Sequence, residues 1–290
     1  MATPTTLVTA AALAFGSALV YAVVGWRLSQ RDVAPEAKRA HDLFVVWWYG
    51  LGAATLLGGL EQVAAAFGVL DLALFVSLTY MALLLICIAL WGLLYYLLFL
   101  FTGRAGVLAP LTAFYVAYYI MLLYAIVGAN PIGIETRRWN VTLTYEHPLE
   151  GPFTTVIIAL LVFPQILGAL AYFTLVFKLR DRTQRFRVTV VSWSIIAWFM
   201  SSFLASVSGL SNSDAWQLAS RLIGLGAALL IFMAYHPPQW MRRRLHIAGI
   251  DDAAPPPKAE AVTGPGRPSG APSWARRPMR SARRGGAWAA

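Results

Sequence analysis

Seven stretches of this chain, 2–26, 43–60, 72–103, 105–134, 151–177, 188–213 and 222–241, contain no Asp, Glu, Lys or Arg. A helix rises about 1.5 Å per residue, so roughly 20 apolar residues cross the ~30 Å hydrocarbon layer of a bilayer. Every stretch is of that order. The composition agrees: 59% of residues are apolar and 12% charged, with a mean hydropathy of +0.63, where soluble domains carry about 25% charged residues. The fold class read from this is all-α, a polytopic membrane protein with a seven-transmembrane-helix bundle over residues 1–245. Its helices are expected at about 5–27, 43–67, 71–101, 107–128, 153–178, 188–210 and 213–236. The third exceeds the thickness of a membrane, so it tilts or protrudes, and Gly103 in Thr102-Gly103-Arg104 reads as its stop. No soluble catalytic domain of ordinary size fits in what remains.

The order of charge and hydrophobicity sets the threading. The first basic residue, Arg27, follows the first apolar stretch, the reverse of a secretory signal peptide, so that stretch reads as a retained helix with its N-terminus outside. Seven crossings then place 20 of the 23 Lys and Arg residues on the cytoplasmic side or in the C-terminal segment. Arg137 and Arg138 fall outside, and Arg221 falls within helix seven. The expected localisation is a cell (inner) membrane, multi-pass, with a cytoplasmic C-terminus. Residues 129–152 form the longest external segment and read as a cap or short hairpin over the helix ends. Asn140-Val141-Thr142 matches a glycosylation sequon, a motif too short to carry weight. Beyond Arg244 the chain turns to Pro, Ala, Gly and Arg, and residues 246–290 read as a disordered basic tail. Its arginines are drawn to anionic lipid headgroups at about 1 kcal/mol each near the surface, in preference to nucleic acid; an inert solvated tail is the alternative.

Ionisable groups inside a membrane cost about 2.5–3.5 kcal/mol even on lenient scales, which marks them as functional candidates. Two fall inside the expected helices, Glu61 and Arg221, at similar depth in the outer third. Gly58, Glu61, Gln62 and Ala65 share one helical face, as do Gln217, Ser220, Arg221 and Gly224. The two faces are expected to meet, through an ion pair or a shared wet cavity. Glu61, Gln62, Gln217 and Arg221 are therefore the candidate ligand-binding residues; the same group also reads as plain glue between helices two and seven. Pro164 falls in mid-helix five and is expected to kink it beside Gln165, a candidate hinge. Pro110 lies in the first turn of helix four, where proline costs little. Ser194, Ser201 and Ser208, with Trp198 and Ala205 between them, form a small-residue packing seam in helix six. Tyr80, Cys87, Trp91, Tyr95, Tyr115, Tyr118 and Tyr119 read as core, or as the lining of an apolar chromophore, lipid or quinone pocket.

Several chemistries have no residues to carry them. A covalent retinal needs a buried lysine, and Lys38, Lys178 and Lys258 all fall at cytoplasmic or tail positions, so no cofactor is named. The histidines, His41, His147, His236 and His246, lie in loops or at helix ends, with no pair spaced to ligate haem or metal in the core. The single Cys87 excludes an internal disulfide. No phosphate-binding glycine loop or nucleophile elbow is present, and no enzymatic centre is assigned.

Tyr95-Tyr96-Leu97-Leu98 leading to Phe101-Thr102-Gly103-Arg104, the turn Asp181-Arg182-Thr183-Gln184-Arg185, and the exit Tyr235-His236-Pro237-Pro238-Gln239-Trp240 followed by arginines resemble the seven-helix sensor regions that precede bacterial histidine kinase domains. The resemblance covers about residues 1–245. It implies a receptor-like protein that binds a small or lipidic ligand. In such sensors an output domain follows helix seven, whereas a basic tail follows here, which implies signalling through a partner or the loss of signalling altogether. Pro164-Gln165 is also similar to the proline–glutamine dipeptide of seven-helix sugar and amino-acid carriers, without its counterpart in helix one. A small-solute transporter and an accessory subunit of a larger membrane complex are the alternative functions. The partners expected are the lipid bilayer, a small-molecule ligand, and a signalling partner or larger complex.

Overall fold

A computed structural model describes residues 4–147, 165–208 and 213–247. Its architecture is helical: α1 (Pro4–Ser29), α2 (Pro35–Ala66), α3 (Leu72–Thr102), α4 (Leu108–Gly128), α5 (Gln165–Phe177), α6 (Arg182–Ser208), α7 (Asp214–Tyr235) and α8 (Gln239–Leu245). A hairpin of β1 (Pro131–Thr136) and β2 (Val141–Tyr145) follows α4. Among the described residues, α1, α2, α3, α4 and α7 are each long and apolar enough to cross a membrane. Residues 153–164 of the expected fifth helix, Pro164 with its kink, and the tail from 248 onward lie outside the described residues, as do the side chains of Ser201 and Ser208.

Two helices run past the apolar stretches that announced them. The sequence places the start of helix two near 43, but α2 begins at Pro35, which occupies its first turn, where proline's missing N–H is no loss. The charged residues 36–42 lengthen the helix without being apolar. α6 begins at Arg182 rather than near 188, because the Asp181 carboxylate caps it by accepting from Thr183 N (3.3 Å) and Gln184 N (2.9 Å). Lys38 thereby falls in the first turns of α2. It is exposed, as is Lys178. Gly103 does end α3: it takes the left-handed conformation (φ 63°) and its N–H donates to Phe99 O at 2.8 Å. The short α8 was not anticipated.

α1 packs along α2, α2 along α3, and α3 along α4, while α7 packs on both α1 and α6. α5 joins α4 through Gln165 and meets α6 at its last turn. The buried face of α1 is Leu7, Ala10, Ala11, Ala14, Ser17, Ala18, Tyr21, Val24 and Leu28, a three-to-four residue recurrence. Close approach depends on glycine at two points. A Cβ at Gly92 of α3 would collide with the Leu43 carbonyl of α2, and one at Gly59 of α2 with the Phe15 ring of α1. The centre is aromatic: Trp48 is fully buried against Tyr21, Phe44 and Trp47, and Phe44 stacks on Tyr96 with ring centroids 4.3 Å apart. At the basic end, the buried His41 places Nε2 3.0 Å from Leu28 O, which ties the first turns of α2 to the end of α1.

Candidate functional site: a polar cavity beneath the hairpin

Residues 129–147 form the expected hairpin. Its strands pair Thr136 with Val141 and Ile134 with Leu143, and Arg137 N donates to Asn140 O (2.8 Å) across the turn. Asn130, in the left-handed conformation, donates from Nδ2 to Glu146 Oε2 (2.6 Å) and closes the base. Val141 is buried with Leu7 of α1 and Phe75 of α3, flanked by Ala65, Ala66, Leu70, Ile134 and Leu143. The hairpin is thus seated on the ends of α1, α2 and α3. Burial, with the Tyr80 phenol nearby, raises the Tyr145 hydroxyl above its ordinary value of 10.0.

The tip of the hairpin reaches α7. Arg221 Nε donates to Trp139 O at 3.1 Å and Nη2 donates to Asn140 Oδ1 at 3.0 Å. Both acceptors are neutral. Beneath this contact lies a cavity of about 280 Å³, lined by Leu13, Ala14, Ser17 and Tyr21 of α1, Thr55 of α2, Asn140, Trp198 of α6, and Gln217, Ser220, Arg221 and Gly224 of α7. Its hydroxyls are already committed as donors: Ser17 to Leu13 O (3.0 Å), Tyr21 to Gly224 O (3.4 Å), Thr55 to Leu51 O (2.7 Å) and Ser220 to Gln217 O (3.0 Å). Each keeps lone pairs for accepting. The cavity therefore offers hydroxyl acceptors, the carboxamides of Asn140 and Gln217, the Trp198 indole and one guanidinium.

The four sequence candidates divide into two groups. Gln217 is buried and lines the cavity with Arg221. Glu61 and Gln62 do not line it. Glu61 has the Thr79 side chain of α3 as its polar neighbour and interacts with Arg221 only at a distance; no ion pair joins them. α1 packs on both α2 and α7; helices two and seven share the cavity through Thr55 of α2, while Glu61 and Arg221 interact without an ion pair. Gln62 is buried, and its Oε1 has no hydrogen-bond partner among the described residues. The sequence reading missed Ser17, Tyr21, Thr55, Trp198 and Asn140. Ser17 and Tyr21, four residues apart on α1, form the one local signal; nothing along the chain links Asn140 to a residue 81 positions away.

Of the candidate hinge, Gln165 is described. It is fully buried and its Nε2 donates to Tyr115 Oη at 2.7 Å. Among the described residues, no three His, Cys, Asp or Glu side chains are placed to hold a metal ion. Comparison of the chain with family models, with curated proteins and with solved structures finds no match.

Proposed function

We propose that this chain is a receptor-like protein of the cell inner membrane. It has seven spans, an outside N-terminus and a cytoplasmic C-terminal tail, and it binds a small anionic ligand in the cavity beneath the hairpin. The observation that carries this reading is Arg221. Its guanidinium lines a cavity, its partners are the neutral oxygens of Trp139 and Asn140, and, among the described residues, the carboxylate that offsets its charge, Glu61, does so from a distance. A carboxylate or other single-charge oxyanion supplies the charge-assisted bonds that the fork favours. At about 280 Å³ the cavity sits at the lower edge of the roughly 300–1,000 Å³ typical of small-molecule sites, which suits a compact ligand. α1, α2, α6, α7 and the hairpin all contribute lining, so occupancy bears on several helix contacts at once, and a ligand shifts their packing by its differential affinity for the two arrangements. The resemblance to sensor regions ahead of histidine kinases favours signalling through a partner.

The test is mass spectrometry of small molecules retained by the full chain after mild detergent purification. We expect an anionic compound from wild type that is absent from Arg221→Gln and present in Glu61→Gln. An identical retained set in wild type and Arg221→Gln, with both proteins folded, overturns the proposal.

A further inference from the structure

A second concavity, of about 640 Å³, opens at the basic end of the molecule, where Arg39 of α2 faces the first turns of α4. Leu108, Ala109, Thr112, Ala113 and Val116 form its wall, a recurrence that keeps to one face of α4. From Leu108 to Val116 the helix axis advances about 12 Å, close to half of the ~30 Å hydrocarbon layer. The small side chains of Ala109 and Ala113 make the wall a trough. Thr112 is its one polar side chain, and its proton is already committed: it donates to Leu108 O (2.8 Å) and accepts from Trp91 Nε1 (3.0 Å). What the wall offers an occupant is hydrocarbon.

The mouth has the opposite chemistry. Arg39 is exposed and makes no hydrogen bond or ion pair among the described residues, although Glu36 and Asp42 lie one turn away on the same helix. Lys38 beside it and Arg104 at the end of α3 are exposed as well. A soluble anion would use the mouth and leave the trough empty; an uncharged lipid would do the reverse. We propose that this groove holds an anionic phospholipid, with its phosphate on Arg39 and one acyl chain along the Ala109–Val116 face of α4. The inference rests on the reading of the helices as membrane spans and is independent of the Arg221 cavity, since no residue lines both.

The probe is an equimolar mixture of phosphatidylglycerol and phosphatidylcholine added to the full chain in detergent, with retained lipid counted by native mass spectrometry. Wild type is expected to retain phosphatidylglycerol in preference. Arg39→Ala should abolish that preference. Ala109→Trp, which fills the trough, should lower retention of either lipid by about tenfold, the worth of roughly two buried methylenes. Ala113→Phe serves as a second obstruction on the same wall, and helical circular dichroism confirms that each variant is folded. Arg243→Ala, a basic residue outside the groove, should change nothing. Wild-type retention by both folded trough variants overturns the proposal, as does an undiminished phosphatidylglycerol preference in Arg39→Ala or no preference in wild type. Recovery of the full chain in the aqueous fraction rather than with membranes would instead remove the membrane reading itself.

Discussion

Gln165 is fully buried with its carboxamide half used: Nε2 donates to Tyr115 Oη, and Oε1 has no partner among the described residues. Tyr115→Phe removes the acceptor and leaves both ends of the amide unpaired, which costs about 1–3 kcal/mol for a buried donor. Replacing both partners by apolar groups of similar shape is close to neutral. Thermal unfolding in detergent should therefore show a clear loss for Tyr115→Phe and recovery in the Tyr115→Phe, Gln165→Leu double variant. Equal melting of wild type and Tyr115→Phe would mean that the bond adds nothing. Arg221 poses the inverse situation, because its donors are partly satisfied while its charge is not neutralised by contact. Sequence reasoning found both residues, since a polar side chain in an apolar stretch stands out. It could not find their partners, Tyr115 and Asn140, which lie 50 and 81 positions away.

At the scale of elements, the apolar interiors of the helices were legible and their charged ends were not. A gap without charges ends at the first charged side chain, whereas a helix runs as far as its backbone dihedrals allow, whether it starts at a proline or at a capping carboxylate. Hence α2 starts at Pro35 and α6 at Arg182, each inside a charged segment. The order in which helices pack was also illegible: nothing in the pattern of α1 says that it packs on both α2 and α7. Contacts at glycine make that order testable. A Cβ at Gly92 would collide with the backbone carbonyl of Leu43, which cannot swing aside, whereas a Cβ at Gly58 meets nothing within 4 Å. Gly92→Ala should destabilise by about 1–3 kcal/mol through overpacking, and Gly58→Ala should be neutral or stabilising, since alanine is the better helix former by about 1 kcal/mol. Melting temperatures of the two variants, measured in the same detergent, check the pair; the opposite ranking would contradict the α2–α3 contact described.

The whole molecule is polarised. The hairpin, with its near balance of Arg137, Arg138, Glu135 and Glu146, occupies one end; Arg27, Arg31, Arg39, Arg104, Lys178, Arg182, Arg187 and the arginines of α8 gather at the other. Basic residues flanking spans remain on the cytoplasmic side, so reporters fused before Pro4 and after Ile247 should report opposite faces of the membrane. Reporters on one face would refute an odd number of crossings. The unbroken length of α2 has a mechanical consequence. Its 32 residues carry Arg39 near one end and Ala65 and Ala66, which pack under the hairpin, at the other. Over the roughly 39 Å between Arg39 and Ala65, a tilt of about 5° at the hairpin displaces the far terminus by roughly 3 Å. A single unbroken helix thus joins the seat of the hairpin to the guanidinium at the opposite end, so any rigid reorientation of α2 is felt at both.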